Sequence, residues 1–167
     1  MERLWAPWRI QYIESLTNQD KTCIFCAKAS QREDDDNFLL YRGKTVFLLL
    51  NTFPYTNGHL LVAPYRHTAD LTSLTAEESR ELLAVATLGV KILSKALNPD
   101  GFNLGMNLGR PAGAGITDHL HLHIVPRWSG DSNFMTVCGN TKVIPEALPA
   151  TLQKLRAALA ALEQENG

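Results

Sequence analysis

Three of the chain's five histidines fall in one stretch, His119, His121 and His123 of "DHLHLHIVPRW" (residues 118–128). A β-strand points successive side chains to opposite faces. The three imidazoles therefore line one face, and Leu120, Leu122 and Ile124 line the other. The leucine face suits burial, whereas imidazoles at every second position suit chemistry, of which two kinds fit. Histidines at i and i+2 can share a metal ion, since imidazole is a common zinc ligand. At a rise of about 3.3 Å per residue the three span about 13 Å, so one ion does not take them all. Alternatively, one histidine attacks phosphorus while its neighbours orient it and serve the leaving group.

The loop just before this strand, "NLGRPAGAGITDH", favours the second chemistry. Gly109, Ala112, Gly113, Ala114 and Gly115 remove side-chain bulk, so backbone N–H groups can approach a phosphate. Arg110 and Arg127 offer counter-charges. A third feature is "CIFC", Cys23 and Cys26. Zinc needs two ligands beyond such a pair, and His59 and His67 are candidates. Redox chemistry is the other use of Cys-x-x-Cys, but no thioredoxin-like βαβ pattern surrounds it. Cys138 stands alone and reads as a packing residue.

The elements that must position these residues follow from pattern. "FLLYRGKTVFLLLNTF" (38–53) reads as two strands broken by a turn at Arg42-Gly43-Lys44. Pro54 and Asn57-Gly58 mark a loop. "HLLVAPY" is a third strand, stopped by Pro64. Thr75 with Glu78 makes a capping box, and positions 82, 85, 86, 89, 93, 96 and 97 recur at helical spacing until Asn98-Pro99-Asp100-Gly101. "FNLGMNLG" alternates as a strand, the histidine strand follows, and a last helix covers about 150–164. Strands, then a helix, then strands predict an antiparallel α+β domain.

Composition narrows the function. The length of 167 residues fits a single domain, 1–167, with an N-terminal extension over 1–22. Sixteen basic and 17 acidic side chains leave a net charge of −1, which argues against bulk nucleic-acid binding but not against a small phosphorylated ligand. No apolar run approaches the roughly 18 residues that span a bilayer. The first residues, "MERLWAPWRIQYIES", lack the apolar core of a secretory signal. The expectation is a cytoplasmic protein without membrane or nucleic-acid partners.

"HLHLHIV" (119–125) resembles the histidine triad (HIT) motif, His-φ-His-φ-His-φ-φ. "LNTFPYTNGHLLVAPYRH" (50–67) is similar to the family's first motif. The resemblance covers roughly residues 23–135. Within the family, "NLGRPAGAGITDHLHLHIVPRWSGDSNFM" and the N-terminal "LWAPWR" look like bacterial diadenosine tetraphosphate phosphorylase-like members. The family implies a nucleotide-binding fold of about five antiparallel strands and two main helices, usually paired as a homodimer.

The resemblance also implies roles. His121 would attack the α-phosphorus and form a nucleotidyl-histidine, resolved by water, inorganic phosphate or another acceptor. His123 would assist at the bridging oxygen, with its backbone carbonyl orienting the ring of His121. His59 matches the upstream active-site histidine. Asn51 matches the ribose-binding position, and Asn107 with Gly113, Ala114, Gly115 and Ile116 the phosphate-contacting segment. Many members carry Ser or Gln in that segment, so backbone donors and Asn107 would serve here. Trp128 fits an aromatic position near the ligand. Zinc-containing members and the related galactose-1-phosphate uridylyltransferases imply a closed structural zinc site of Cys23, Cys26, His67 and His119.

The leading reading is thus an enzyme cleaving dinucleoside polyphosphates, turning diadenosine tetraphosphate and phosphate into ADP and ATP. Simple hydrolysis and phosphoramidase activity are its rivals. A nucleotidyltransferase to a sugar phosphate is disfavoured, because the chain is short and its third triad position is His where those enzymes have Gln. A non-catalytic nucleotide-binding module is the alternative of another class.

Overall fold

The computed structural model describes residues 23–131, 138–139 and 143–166. The expected extension over 1–22, with "LWAPWR", lies outside the described residues. Five strands, β1 (Leu39–Arg42), β2 (Val46–Leu50), β3 (Leu60–Pro64), β4 (Gly101–Gly105) and β5 (Leu122–Arg127), form one sheet in the order β1-β2-β3-β5-β4. Every neighbouring pair is antiparallel. Among the described residues three α-helices accompany it, namely α1 (Ile24–Ser30), α2 (Ala76–Leu97) and α3 (Leu148–Asn166). The α+β expectation holds. The short α1 comes in addition to the two long helices.

β2 and β3 are buried along their whole length because both sheet faces are covered. Val46, Leu48, Leu50, Leu60, Val62, Leu122 and Ile124 face a large core shared with α2 and α3. Phe47, Leu49, Leu61 and Ala63 face the opposite way, onto Phe25 of α1. Strand alternation thus sends one set of side chains to a helical layer and the other to the face that carries the histidines.

Helix α2 begins as expected. Thr75 accepts from the Glu78 N–H, and the Glu78 carboxylate accepts from the Thr75 N–H. The helix ends at Asn98, which adopts φ 45°. Glu81 of α2 accepts from the N–H groups of Lys44 and Thr45 (2.7 and 2.6 Å), clasping the β1–β2 turn. Two glycines permit close approach. A Cβ on Gly89 would stand 2.7 Å from Ile124 Cδ1, so a larger residue there would have to push that buried side chain aside where α2 crosses β5. Gly58, at φ 77°, would meet Leu97 Cδ1 at 2.5 Å, so the loop delivering His59 to the sheet requires glycine.

Three expectations need correction. β5 begins only at Leu122, so His119 and His121 precede the ladder; Leu120 instead donates its N–H to the Thr68 carbonyl at 2.6 Å. β4 stops at Gly105, because Met106 to Gly109 leave the sheet to enter the small-residue loop. Cys138 is exposed, so it is not a packing residue.

Candidate active site and metal centre

The run 119–123 works on two sides of Phe25. The Phe25 ring is 5.1 Å from the His119 ring and 5.0 Å from that of His121. It is 1% exposed, so an apolar lid separates the two imidazoles from solvent on this side. His119, His121 and His123 are all buried, as is His59. The histidine face is therefore an interior surface, covered by α1 and by the loop that carries Tyr55.

His119 joins Cys23, Cys26 and His67. Its Nδ1 lies 3.2 Å from Cys23 Sγ and 3.6 Å from Cys26 Sγ, and His67 Nδ1 lies 3.4 Å from Cys26 Sγ. All four ligand atoms fall within 4.8 Å of one another. Tetrahedral zinc with Zn–S of about 2.3 Å and Zn–N of about 2.0–2.1 Å puts its ligand atoms roughly 3.3–3.8 Å apart. The three separations of 3.2, 3.4 and 3.6 Å lie near that spacing, within a cluster bounded by 4.8 Å. The outer nitrogen of His119, Nε2, donates to the Pro64 carbonyl at 2.8 Å, which leaves Nδ1 with the lone pair a metal requires. Burial lowers the pKa of His119 against the opposing pull of that carbonyl. Burial and the neighbouring Cys23 raise that of the Cys26 thiol, so loading a metal here releases protons.

His121 sits two residues on, and its Nδ1 lies 2.8 Å from the His119 carbonyl. A carbonyl only accepts, so Nδ1 carries the proton and Nε2 the lone pair. The orienting carbonyl is that of His119, not that of His123 as the family resemblance led one to expect. Upstream of the ladder the backbone of 119–121 is free to turn its carbonyl onto the ring. Burial lowers the pKa of His121, with the carbonyl opposing.

His123 and His59 are coupled, with His59 Nε2 at 2.9 Å from His123 Nδ1. The loop fixes the direction of this bond. The Tyr55 N–H donates to His59 Nδ1 at 3.1 Å, and Asn51 Nδ2 lies 3.2 Å from the same nitrogen. Asn51 Oδ1 accepts from the Phe53 N–H at 2.9 Å, which assigns Nδ2 as the group facing the ring. His59 Nδ1 is therefore an acceptor, its Nε2–H donates to His123 Nδ1, and the proton of His123 sits on Nε2. That Nε2 is buried without a hydrogen-bond partner among the described residues. Burial, then the other histidines, depress His59 to about 3, and burial with His121 depresses His123 to about 4. Both are neutral near neutral pH.

A cleft of about 410 Å³ opens next to His123, with Tyr55, Asn103, Met106, Asn107 and Arg127 in its walls. Tyr55 stacks on His123 at 5.5 Å and 15°. The expected nucleotide-binding residues are divided. Asn107 lines this cleft and bonds the Gly113 carbonyl at 3.4 Å. Asn51 contacts His59, and Ala114 is buried in its loop. Gly113, Ala114, Gly115 and Ile116 do not line the cleft, and Trp128 borders a separate depression with Asn57 and Pro145. Arg127 is committed to Asp131 (2.6 and 2.8 Å) and Asn103 (2.7 Å), while Arg110 stands exposed at the start of a 3₁₀ turn. Sequence reasoning missed Phe25 and Tyr55. The one signal for Phe25 was an aromatic residue enclosed between two candidate ligand cysteines.

Comparison with known proteins places this arrangement. A family model described as the HIT domain matches residues 32–130. The chain is 40% identical over 161 residues to a protein named AP-4-A phosphorylase of Mycobacterium tuberculosis, covering 93% of this chain and 83% of that one. A crystal structure of a zinc-bound histidine triad family protein from Mycobacterium smegmatis superposes with a TM-score of 0.70 at 31% identity, over 87% of this chain and 98% of that one. A uridylyltransferase shares the fold at 16% identity, with a TM-score of 0.68 over 92% of this chain and 50% of that one. Fold and site together define an enzyme of the nucleotide transferase and hydrolase class. The chain belongs to the histidine triad (HIT) family. Among the described residues, no helix is long and apolar enough to cross a membrane.

Proposed function

We propose that this enzyme cleaves dinucleoside polyphosphates beside the α-phosphate, and that with diadenosine tetraphosphate and inorganic phosphate it yields ADP and ATP. The observation that carries the reading is the His121 ring, protonated at Nδ1 against a backbone carbonyl and holding its lone pair at Nε2. In the first step Nε2 bonds to the α-phosphorus, the P–O bond to the remaining chain breaks, and ATP departs with the electron pair. The His119 carbonyl stabilises the positive ring so formed. The Nε2–H of His123 is the donor available for the bridging oxygen as negative charge develops there. In the second step a phosphate oxygen attacks the same phosphorus, the P–N bond returns its pair to Nε2, and ADP leaves.

Zinc held by Cys23, Cys26, His67 and His119 would supply a structural cross-link. His119 would then be fixed to α1, and Phe25 held over His121. Asn51 and Asn107 are assigned to the nucleotide's ribose and phosphates, with the backbone of Gly113–Ile116 and the ring of Trp128 as the further contacts that the family resemblance implies. A homodimer is the assembly that the same resemblance implies, which light scattering reads directly, and a cytoplasmic setting is the expectation from the sequence itself. Hydrolysis is the second reading, since water can replace phosphate at the same intermediate. Product analysis with and without phosphate tests both. Phosphate-dependent ADP and ATP support phosphorolysis, and AMP with ATP in its absence supports hydrolysis. His121→Ala is expected to lose essentially all turnover yet still bind nucleotide; an active His121→Ala enzyme refutes the mechanism.

A further inference from the structure

We infer that an amide at Asn51, where a carboxylate would draw a second proton onto His59, leaves His123 a neutral hydrogen-bond donor, and so tunes the enzyme to leaving groups that depart as oxyanions rather than as amines. The inference rests on the reading that His121 is the nucleophile and His123 serves the leaving group. It begins from one unbroken chain of hydrogen bonds. The Phe53 N–H donates to Asn51 Oδ1, Asn51 Nδ2 to His59 Nδ1, and His59 Nε2 to His123 Nδ1. The Tyr55 N–H joins Asn51 at His59 Nδ1. Every donor points toward His123, whose own Nε2–H ends the chain in a buried position with no acceptor among the described residues. The partners of the two rings are an amide, a backbone N–H and each other. The rings beside them are Tyr55, stacked on His123, and His121, 4.8 Å from it.

Such a chain can polarise but cannot deliver. If His123 gave up its Nε2 proton, Nδ1 would need a replacement from His59. His59 would then need one from the Asn51 amide or the Tyr55 N–H, and neither can yield it. A neutral imidazole in this state stabilises charge as an electrophile, a role known for histidine elsewhere. That suffices for a phosphoanhydride, whose leaving polyphosphate departs as an anion. It does not suffice for a phosphoramidate, because the nitrogen must take a full proton as the P–N bond breaks. A carboxylate in place of the amide reverses this. It draws a second proton onto His59; His123 can then pass Nε2–H to the amine while taking the His59 Nε2 proton at its own Nδ1. His59 is left neutral, with its remaining proton on Nδ1 facing the carboxylate.

Asn51→Asp is the test, because it changes one atom and keeps the acceptor for the Phe53 N–H. Values of kcat/KM are measured for diadenosine tetraphosphate and for adenosine 5′-phosphoramidate, which share the adenylyl group but not the leaving atom. The ratio of phosphoramidate to tetraphosphate turnover is expected to rise about tenfold or more in Asn51→Asp. In Asn51→Ala it is expected to stay at the wild-type value, since the Tyr55 N–H still holds His59 Nδ1. A proportional loss on both substrates in Asn51→Asp, with KM rising, would mean that Asn51 only grips the ribose, and overturns the inference. Nitrogen-15 NMR of the imidazole rings in the wild-type enzyme decides independently of how the variants fold. His123 is expected to be neutral and protonated at Nε2 from about pH 5 to about pH 8, and an imidazolium or an Nδ1–H tautomer there overturns the inference. If wild type turns over neither substrate, phosphorolysis fails, while the NMR result still judges the chain of bonds.

Discussion

Replacing Cys23 by Ser removes one corner of the Cys₂His₂ cluster, and the structure sets how much that should cost. Cys23 and His119 are 96 residues apart in the chain, and Cys26 and His67 are 41 apart. A metal joining them closes long loops in the unfolded chain. By the chain-entropy relation used for covalent cross-links, closing a loop of about 100 residues is worth about 4.7 kcal/mol. The unfolded chain keeps its other ligands and binds some metal itself, which makes this an upper value. For a domain of this size each kcal/mol moves the melting temperature by about 2–4 °C. Cys23→Ser and chelator-treated wild type are therefore each expected to melt up to about 10–20 °C lower, with zinc content falling from one equivalent toward none. The assay is a thermal melt beside elemental analysis of the same samples. Unchanged zinc content and melting temperature in both Cys23→Ser and His67→Ala would refute the metal centre.

Two more outcomes follow from packing and charge. Phe25→Ala empties a fully buried position against Phe47, His119 and His121 and should cost about 3–5 kcal/mol in urea unfolding; a loss under about 1 kcal/mol would mean that α1 is not seated on the histidine face. Glu78 is held at about 2, well below its ordinary 4.5, first by its hydrogen bond to Arg66 and then by the Thr75 N–H. A depressed carboxyl contributes stability that is full above its unfolded pKa and is lost as pH falls through the folded one. Glu78→Gln should therefore be less stable than wild type at pH 7, and the gap should close between pH 4.5 and pH 2; a gap that persists at low pH would show that charge is not the cause.

Much of this was legible because local rules and tertiary packing agree. The capping box of α2, the β1–β2 turn and the alternation of Leu122, His123 and Ile124 each need only neighbouring residues. The Cys₂His₂ set was legible through family resemblance, since its members are scattered along the chain. What escaped depends on backbone direction. That the His119 carbonyl orients His121 depends on the ladder starting at Leu122, and pattern cannot date a strand to within two residues. Pro64 ends β3 as expected, opposite Val46 and beyond the reach of β5, where its missing N–H is not required; that its carbonyl serves His119 is not visible in the sequence. The contact of the Asn51 amide with His59 escapes as well, because nothing in the sequence shows where that side chain is aimed.

The register of β5 constrains how this protein can change over time. His123 is pinned between Leu61 on one flank and Gly105 on the other. One residue inserted or deleted at 119–123 would rotate the run, putting leucines where the imidazoles stand and driving polar rings into the aliphatic layer beneath α2. Drift along this run can proceed by substitution but not by change of length. Variation in length must be absorbed elsewhere, as in the Asn107–Asp118 loop, so homologues with different acceptors are expected to differ in the size of that loop while the histidines keep their spacing.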